Sequence, residues 1–171
     1  MNKKNKSGQV WTLDFIIGLM LFVVMLVVSI KIVLDMYPSQ DDVIVYRDAV
    51  HLSDNLLSIG YPSNWSENTD TVVLPGIAEN NRINTTKLTK FKDIDYGRAK
   101  TLMHVTSDYI FFIHNSTTII NTGQCLYGYN LSADVSCNPI LTTVHYKNLA
   151  RIDRVVIYNS TVMMMTVYTW N

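Results

Sequence analysis

Residues 15 to 34, FIIGLMLFVVMLVVSIKIVL, constrain this chain of 171 residues more than any other stretch. They carry a single charge, Lys31, near the far end. A helix of that length rises about 30 Å, the hydrocarbon thickness of a bilayer, and Lys31 is close enough to the edge to snorkel its amine to the interface. A buried helix of a soluble core would suit a run of about 10–14 residues better. A secretory signal fits poorly too, because its apolar region spans about 7–15 residues and ends in a small-x-small cleavage site. Here Lys31, Asp35, Tyr37 and Pro38 occupy that end, so the run reads as a retained transmembrane anchor over residues 9–36.

Lys3, Lys4 and Lys6 precede the span. Positive charge beside a membrane helix stays cytoplasmic, so everything beyond the anchor faces outward. Lys+Arg and Asp+Glu number 14 each, which leaves a net charge of +0 and no polybasic face for nucleic acid.

An outward location bears on the two cysteines, Cys125 and Cys137. Oxidising compartments favour their pairing, and two buried free thiols are the alternative. A metal site is poorly supported, since His104, His114 and His145 stand at no ligand spacing from them. Beyond the span, N-x-S/T sequons occur at Asn64, Asn84, Asn115, Asn130 and Asn159, where composition alone predicts about two. They are candidate N-glycosylation sites, although a Thr- and Asn-rich exterior would produce some of them for solubility and turn chemistry alone.

Pro38 ends or kinks the membrane helix, and Ser39 with Asp42 supplies an N-cap for a new one. Val45, Ala49, Leu52, Leu56 and Ile59 keep helical spacing, and Gly60 and Pro62 are stop signals, so an amphipathic stem helix is expected within residues 37–62. Its apolar stripe must be buried, and the obvious partner is a sheet built from residues 63–171. TVVLPGI is a candidate short strand interrupted by Pro75 and Gly76. Asn84 can cap a helix over 85–92, and YGRAKTLMHV suggests another over 95–104.

From residue 107 the signal turns to strand in DYIFFIHN, TTIIN and QCLYGYN. The sharpest β signal is RIDRVVIY, Asn159-Ser160, TVMMMTVYTW, read as a hairpin in which Val155, Ile157, Val162, Met164, Thr166 and Tyr168 alternate across the pleat. Met163, Met164 and Met165 are read as packing residues rather than metal ligands.

No Walker loop, G-x-S-x-G, H-E-x-x-H or C-x-x-C is present. His51, His104, His114 and His145 fall in separate elements, and Asp93 and Asp95 read as helix-capping residues. Neither a catalytic site nor a cofactor is expected. The unusual chemistry is at the membrane boundary, where Asp14 precedes the apolar run. An unpaired carboxylate drawn into hydrocarbon is costly, so it must stay at the interface, take a proton or meet a cation.

KSGQVWTLDFIIGLMLFVVMLVV resembles the start of archaeal type IV pilin-like proteins with class III signal peptides. In that family a short basic leader ending in glycine is cut by a prepilin peptidase on the cytoplasmic side, and an acidic residue follows shortly before the apolar helix. The matching positions are Lys3, Lys4 and Lys6, Gly8 before the cut, Gln9 after it, and Asp14. Cleavage there makes Asp14 the sixth residue of the mature chain, where the family pattern usually has glutamate fifth.

The resemblance implies a leader over residues 1–8 that is removed and a charge pairing between Asp14 and the new amine of a neighbouring subunit. The partners it implies are membrane lipid, the peptidase and other copies or related pilin-like subunits. The expected fold is α+β, a long helical stem packed on an antiparallel β-rich head over residues 63–171. The expected function is a non-enzymatic surface subunit, with an uncleaved, signal-anchored monomeric binding protein as the alternative.

Overall fold

The computed structural model describes residues 7–36, 40–116, 118–121, 124–130, 137, 139–140 and 144–171; the side chains of residues 7–11 and 35 lie outside that description. The chain divides into two compact units between Ser39 and Gln40.

The first unit is one helix, α1, Ser7–Met36. Its segment Thr12–Leu34 is 23 residues long and holds a window of mean hydropathy 2.9, and none of its residues is buried. At 1.5 Å per residue that segment is about 35 Å long, enough to cross a bilayer with some tilt. Ser29 turns its hydroxyl back onto the carbonyl of Met25 at 2.8 Å, so this polar group is satisfied within the helix.

The second unit begins with α2, Gln40–Leu56, which buries Val45, Asp48, Ala49, Leu52, Ser53 and Leu56. The expected stripe is therefore present up to Leu56. Ile59 leaves it, because the helix has ended and the chain passes into Gly60, whose φ of +77° suits glycine. Ser39 lies outside the described residues.

Two 3-10 turns, Trp65–Glu67 and Thr69–Thr71, lead into TVVLPGI at residues 71–77, which was expected to form a short strand. Only an isolated bridge between Tyr61 and Leu74 forms there. The backbone at Gly76 runs against Ser58 and Gly60 so closely that a side chain would collide with both. This crossing lets buried Trp65 donate its indole proton to the Gly76 carbonyl at 2.8 Å, and it leaves no room for a regular ladder.

Six strands follow among the described residues: β1 Ala78–Glu79, β2 Arg82–Ile83, β3 Asp108–His114, β4 Tyr127–Gly128, β5 Leu149–Tyr158 and β6 Thr161–Trp170. Between β2 and β3 lie α3, Thr85–Phe91, and α4, Tyr96–Leu102. Asn84 caps α3 by accepting from Lys87 N at 3.2 Å, and Asp95 caps α4 by accepting from Arg98 N at 3.1 Å. The α4 helix stops short of the expected 104, where His104 takes a φ of +55°.

The sheet order is β1-β2-β5-β6-β3-β4. It is mixed rather than wholly antiparallel, since β2 runs parallel to β5 at Arg82 and Ile157. No tight turn joins those two strands, so local geometry does not dictate their direction. Asn81 fixes the contact by accepting from Ile157 N at 2.7 Å and donating its amide to the Val155 carbonyl at 3.2 Å.

The expected hairpin forms from β5 and β6 in register from Leu149 with Trp170 to Tyr158 with Thr161. Asn159 and Ser160 both adopt positive φ, as a two-residue type I′ connection needs. Val155, Ile157, Val162, Met164, Thr166 and Tyr168 do share a face, by that same register. The large core lies on the opposite face, where Val156, Met165 and Val167 join Tyr109, Phe111 and Ile113 of β3. There α2 packs against β5 and β6. Phe111 stacks on Tyr127 at 5.1 Å, and Phe91 meets Phe111 edge-on at 5.2 Å.

Asp48 makes a buried polar tie and is only 1% exposed. Its Oδ2 accepts from Thr106 N at 2.8 Å, Thr106 Oγ1 at 2.9 Å, Ser107 N at 2.9 Å and Ser107 Oγ at 3.0 Å. Burial pushes the carboxyl pKa up, but these four donors outweigh it and hold the pKa below the usual carboxylate value.

Candidate functional site

The anchor's character follows from its residue types. Leucine, isoleucine, valine, phenylalanine and methionine cover every side of α1 between Phe15 and Leu34, and the helix satisfies its own backbone hydrogen bonds. Such a helix has no polar face to give to water, so its stable environment is lipid or other apolar helices. Gly8 and Gln9 lie in its first turn, and Asp14 lies one turn further on, exposed and unpaired by any described residue. Lys3, Lys4 and Lys6 lie outside the described residues.

In the second unit Cys125 and Cys137 form a disulfide across a separation of 12 residues, which decides between pairing and free thiols. Asn64, Asn84, Asn115, Asn130 and Asn159 are all exposed, so each sequon presents its asparagine to solvent. Their surroundings differ. Asn64 donates its amide to Glu67 at 3.1 Å, Asn84 is occupied as a helix cap, and Asn115 accepts from Thr118 N at 2.7 Å.

The histidines do not converge, and no group of three His, Cys, Asp or Glu side chains that could hold a metal occurs among the described residues. His114 takes part in a chain of contacts that the sequence reading missed. Its Nε2 lies 2.9 Å from Thr166 Oγ1, which donates to Asp153 Oδ1 at 2.6 Å, and Arg151 Nε donates to the same oxygen at 3.1 Å.

Burial raises the Asp153 pKa, but the Thr166 and Arg151 hydrogen bonds together bring it below its usual value. The Arg151 guanidinium also sits over the Tyr168 ring at 5.7 Å. Thr166 is fully buried with its proton committed to Asp153, so the chain braces β3, β6 and β5 and presents no exposed nucleophile. The signal lay in the alternation, since 151 and 153, 166 and 168, and 112 and 114 share one face once the register is known. Beside His114 the same face carries an open groove of 350 Å³ walled by Val155, Val162 and Met164.

No protein-family model, curated protein or solved structure matches this chain.

Proposed function

We propose that this chain is a non-enzymatic, pilin-like surface subunit, held in the membrane by α1 and working through its outward β-rich head. The observation that carries the reading is the 23-residue apolar segment of α1 with none of its surface buried. Eighteen large apolar side chains of that segment are exposed, and leaving them in water would cost many kcal/mol, at about 1.5–3 each for full exposure. Lipid relieves that cost in a precursor, and packing against other copies relieves it in a filament.

Support for an outward head comes from the Cys125–Cys137 disulfide and the five exposed sequon asparagines. In this reading the prepilin peptidase cuts between Gly8 and Gln9, and Asp14 meets the amine so created on a neighbouring subunit. Intact mass of the membrane-extracted protein tests it. A chain beginning at Gln9 supports processing, and a chain that retains Met1 rules processing out.

One observation favours the second reading, an uncleaved anchor carrying a monomeric binding head: the helix already includes Gly8 and Gln9. A peptidase that takes extended chain must first unwind that turn. Sheared surface filaments that contain the subunit would exclude this alternative.

A further inference from the structure

His114 ends β3, half-buried, with an acceptor beside each ring nitrogen. Nδ1 lies 2.7 Å from the Asn115 carbonyl, which has no proton to give. Nε2 lies 2.9 Å from Thr166 Oγ1, and the single proton of that hydroxyl goes to Asp153 Oδ1 at 2.6 Å. Both nitrogens must therefore donate, and a histidine ring does that only as the imidazolium.

A neutral ring cannot make the same set of bonds. Its one proton stays on Nδ1, which faces only an acceptor, so Nε2 becomes an acceptor itself. Thr166 then turns its hydroxyl from Asp153 to His114, and Asp153 loses a donor. Asp153 and Thr166 stand directly opposite each other in the β5–β6 register, so the turn undoes a side-chain tie across the hairpin.

The charged and titratable groups around the ring are few among the described residues. From β5 come Asp153 and Arg151, whose Nη2 lies 3.1 Å from Asp153 Oδ2, and from β6 comes Tyr168, with its ring under the Arg151 guanidinium. The turn after β3 brings Asn115, Ser116 and Thr118, none of which titrates. Arg151 keeps Asp153 ionised, so the proton this chain can give up is the one on His114.

We propose that His114 is a protonation switch: as the imidazolium it completes a hydrogen-bonded chain from Asn115 through Thr166 to Asp153, and on losing its proton it draws the Thr166 hydroxyl off Asp153. His114 and Asn115 also line the groove walled by Val155, Val162 and Met164, so the switch acts on that exposed surface of the hairpin. The acid form holds one hydrogen bond more, which makes the head more stable below the histidine range than above it. His51, His104 and His145 are exposed, and Asp48 responds only in the carboxylate range, so neither masks the effect.

Ring nitrogen NMR of His114 in the full chain, held in lipid nanodiscs at about pH 5 and about pH 8, tests the switch. The expected result is two protonated nitrogens in acid and the Nδ1–H form in base. An Nε2–H form in base, or a ring that does not change between the two, overturns it. Thr166→Val removes the hydroxyl that has to turn. The thermal midpoint of the unsubstituted head should fall by about 3 °C over that pH range, and that of the variant by less than about half as much. Equal falls overturn the proposal, and the ring signals decide it alone if the variant does not fold.

Discussion

Val24 in α1 and Val155 in β5 are almost equally exposed, at 58% and 59%, yet they stand in opposite circumstances. Val155 lies on a sheet face that it shares with the charged Arg151 and Asp153 as well as with Val162 and Met164, and the opposite face of that sheet is packed in the core. A folded protein shows many such residues to water. Val24 is surrounded on every side of its helix by residues like itself, and no residue of that segment is buried. Exposure therefore signals a missing environment only where it is continuous. The second unit is held by its own core, whereas α1 exposes a continuous apolar surface that lipid or other apolar helices would cover.

Substitutions can break the two units separately. The largest expected effect is in the head: Phe111→Ala empties a position ringed by Phe91 and Tyr127 and should cost about 3–5 kcal/mol. Urea unfolding of the head would show this, while membrane fractionation should find the chain still inserted. Val24→Asp should do the reverse, costing about 2.5–3.5 kcal/mol of insertion at mid-span and moving the protein out of the membrane fraction. Val155→Asp, at matched exposure, should change head stability by less than about 0.5 kcal/mol. Equal effects from the two aspartates would erase the distinction.

A smaller effect, of about 1–3 kcal/mol, is expected from Asp48→Asn, because a carboxamide cannot replace a charged acceptor of four hydrogen bonds. It also sharpens the pH behaviour of the head. The Asp48 pKa is lowered by folding, so its contribution is present above the ordinary carboxylate value and is lost as pH falls through the folded one. The wild-type head should lose stability between those values, and the variant should lose less over the same window. Denaturant midpoints measured across acid pH would check this, and parallel slopes would refute it.

Much of the fold could be read in the chain because its signals are local. The apolar run, the α2 stripe from Val45 to Leu56, the caps at Asn84 and Asp95, and the turn at Asn159-Ser160 each depend on neighbours a few residues away. What stayed hidden depends on distant partners. Asp48 reads as one more polar helix residue until Thr106 and Ser107 arrive from 58 and 59 positions away. The two-residue strands β1, β2 and β4 are too short to leave a period, and β2 owes its parallel direction to Asn81 meeting β5.

Which face of the hairpin is the core one depended on where α2 packs. Alternation fixes which residues share a face but not which face is covered. The long apolar helix could be read in full, because a run of residues 15 to 34 with a single charge needs no partner to declare itself. The His114, Thr166 and Asp153 contacts could not, because they join three strands whose register no local pattern states.

In the proposed function α1 crosses the membrane and delivers the head to the outside. Protease added to intact cells tests it most directly, read by mass from the membrane fraction. The expected result is a head digested from outside and a fragment containing Thr12–Leu34 that stays in the membrane. A head protected until the cells are opened, or a chain released whole into the soluble fraction, would contradict it.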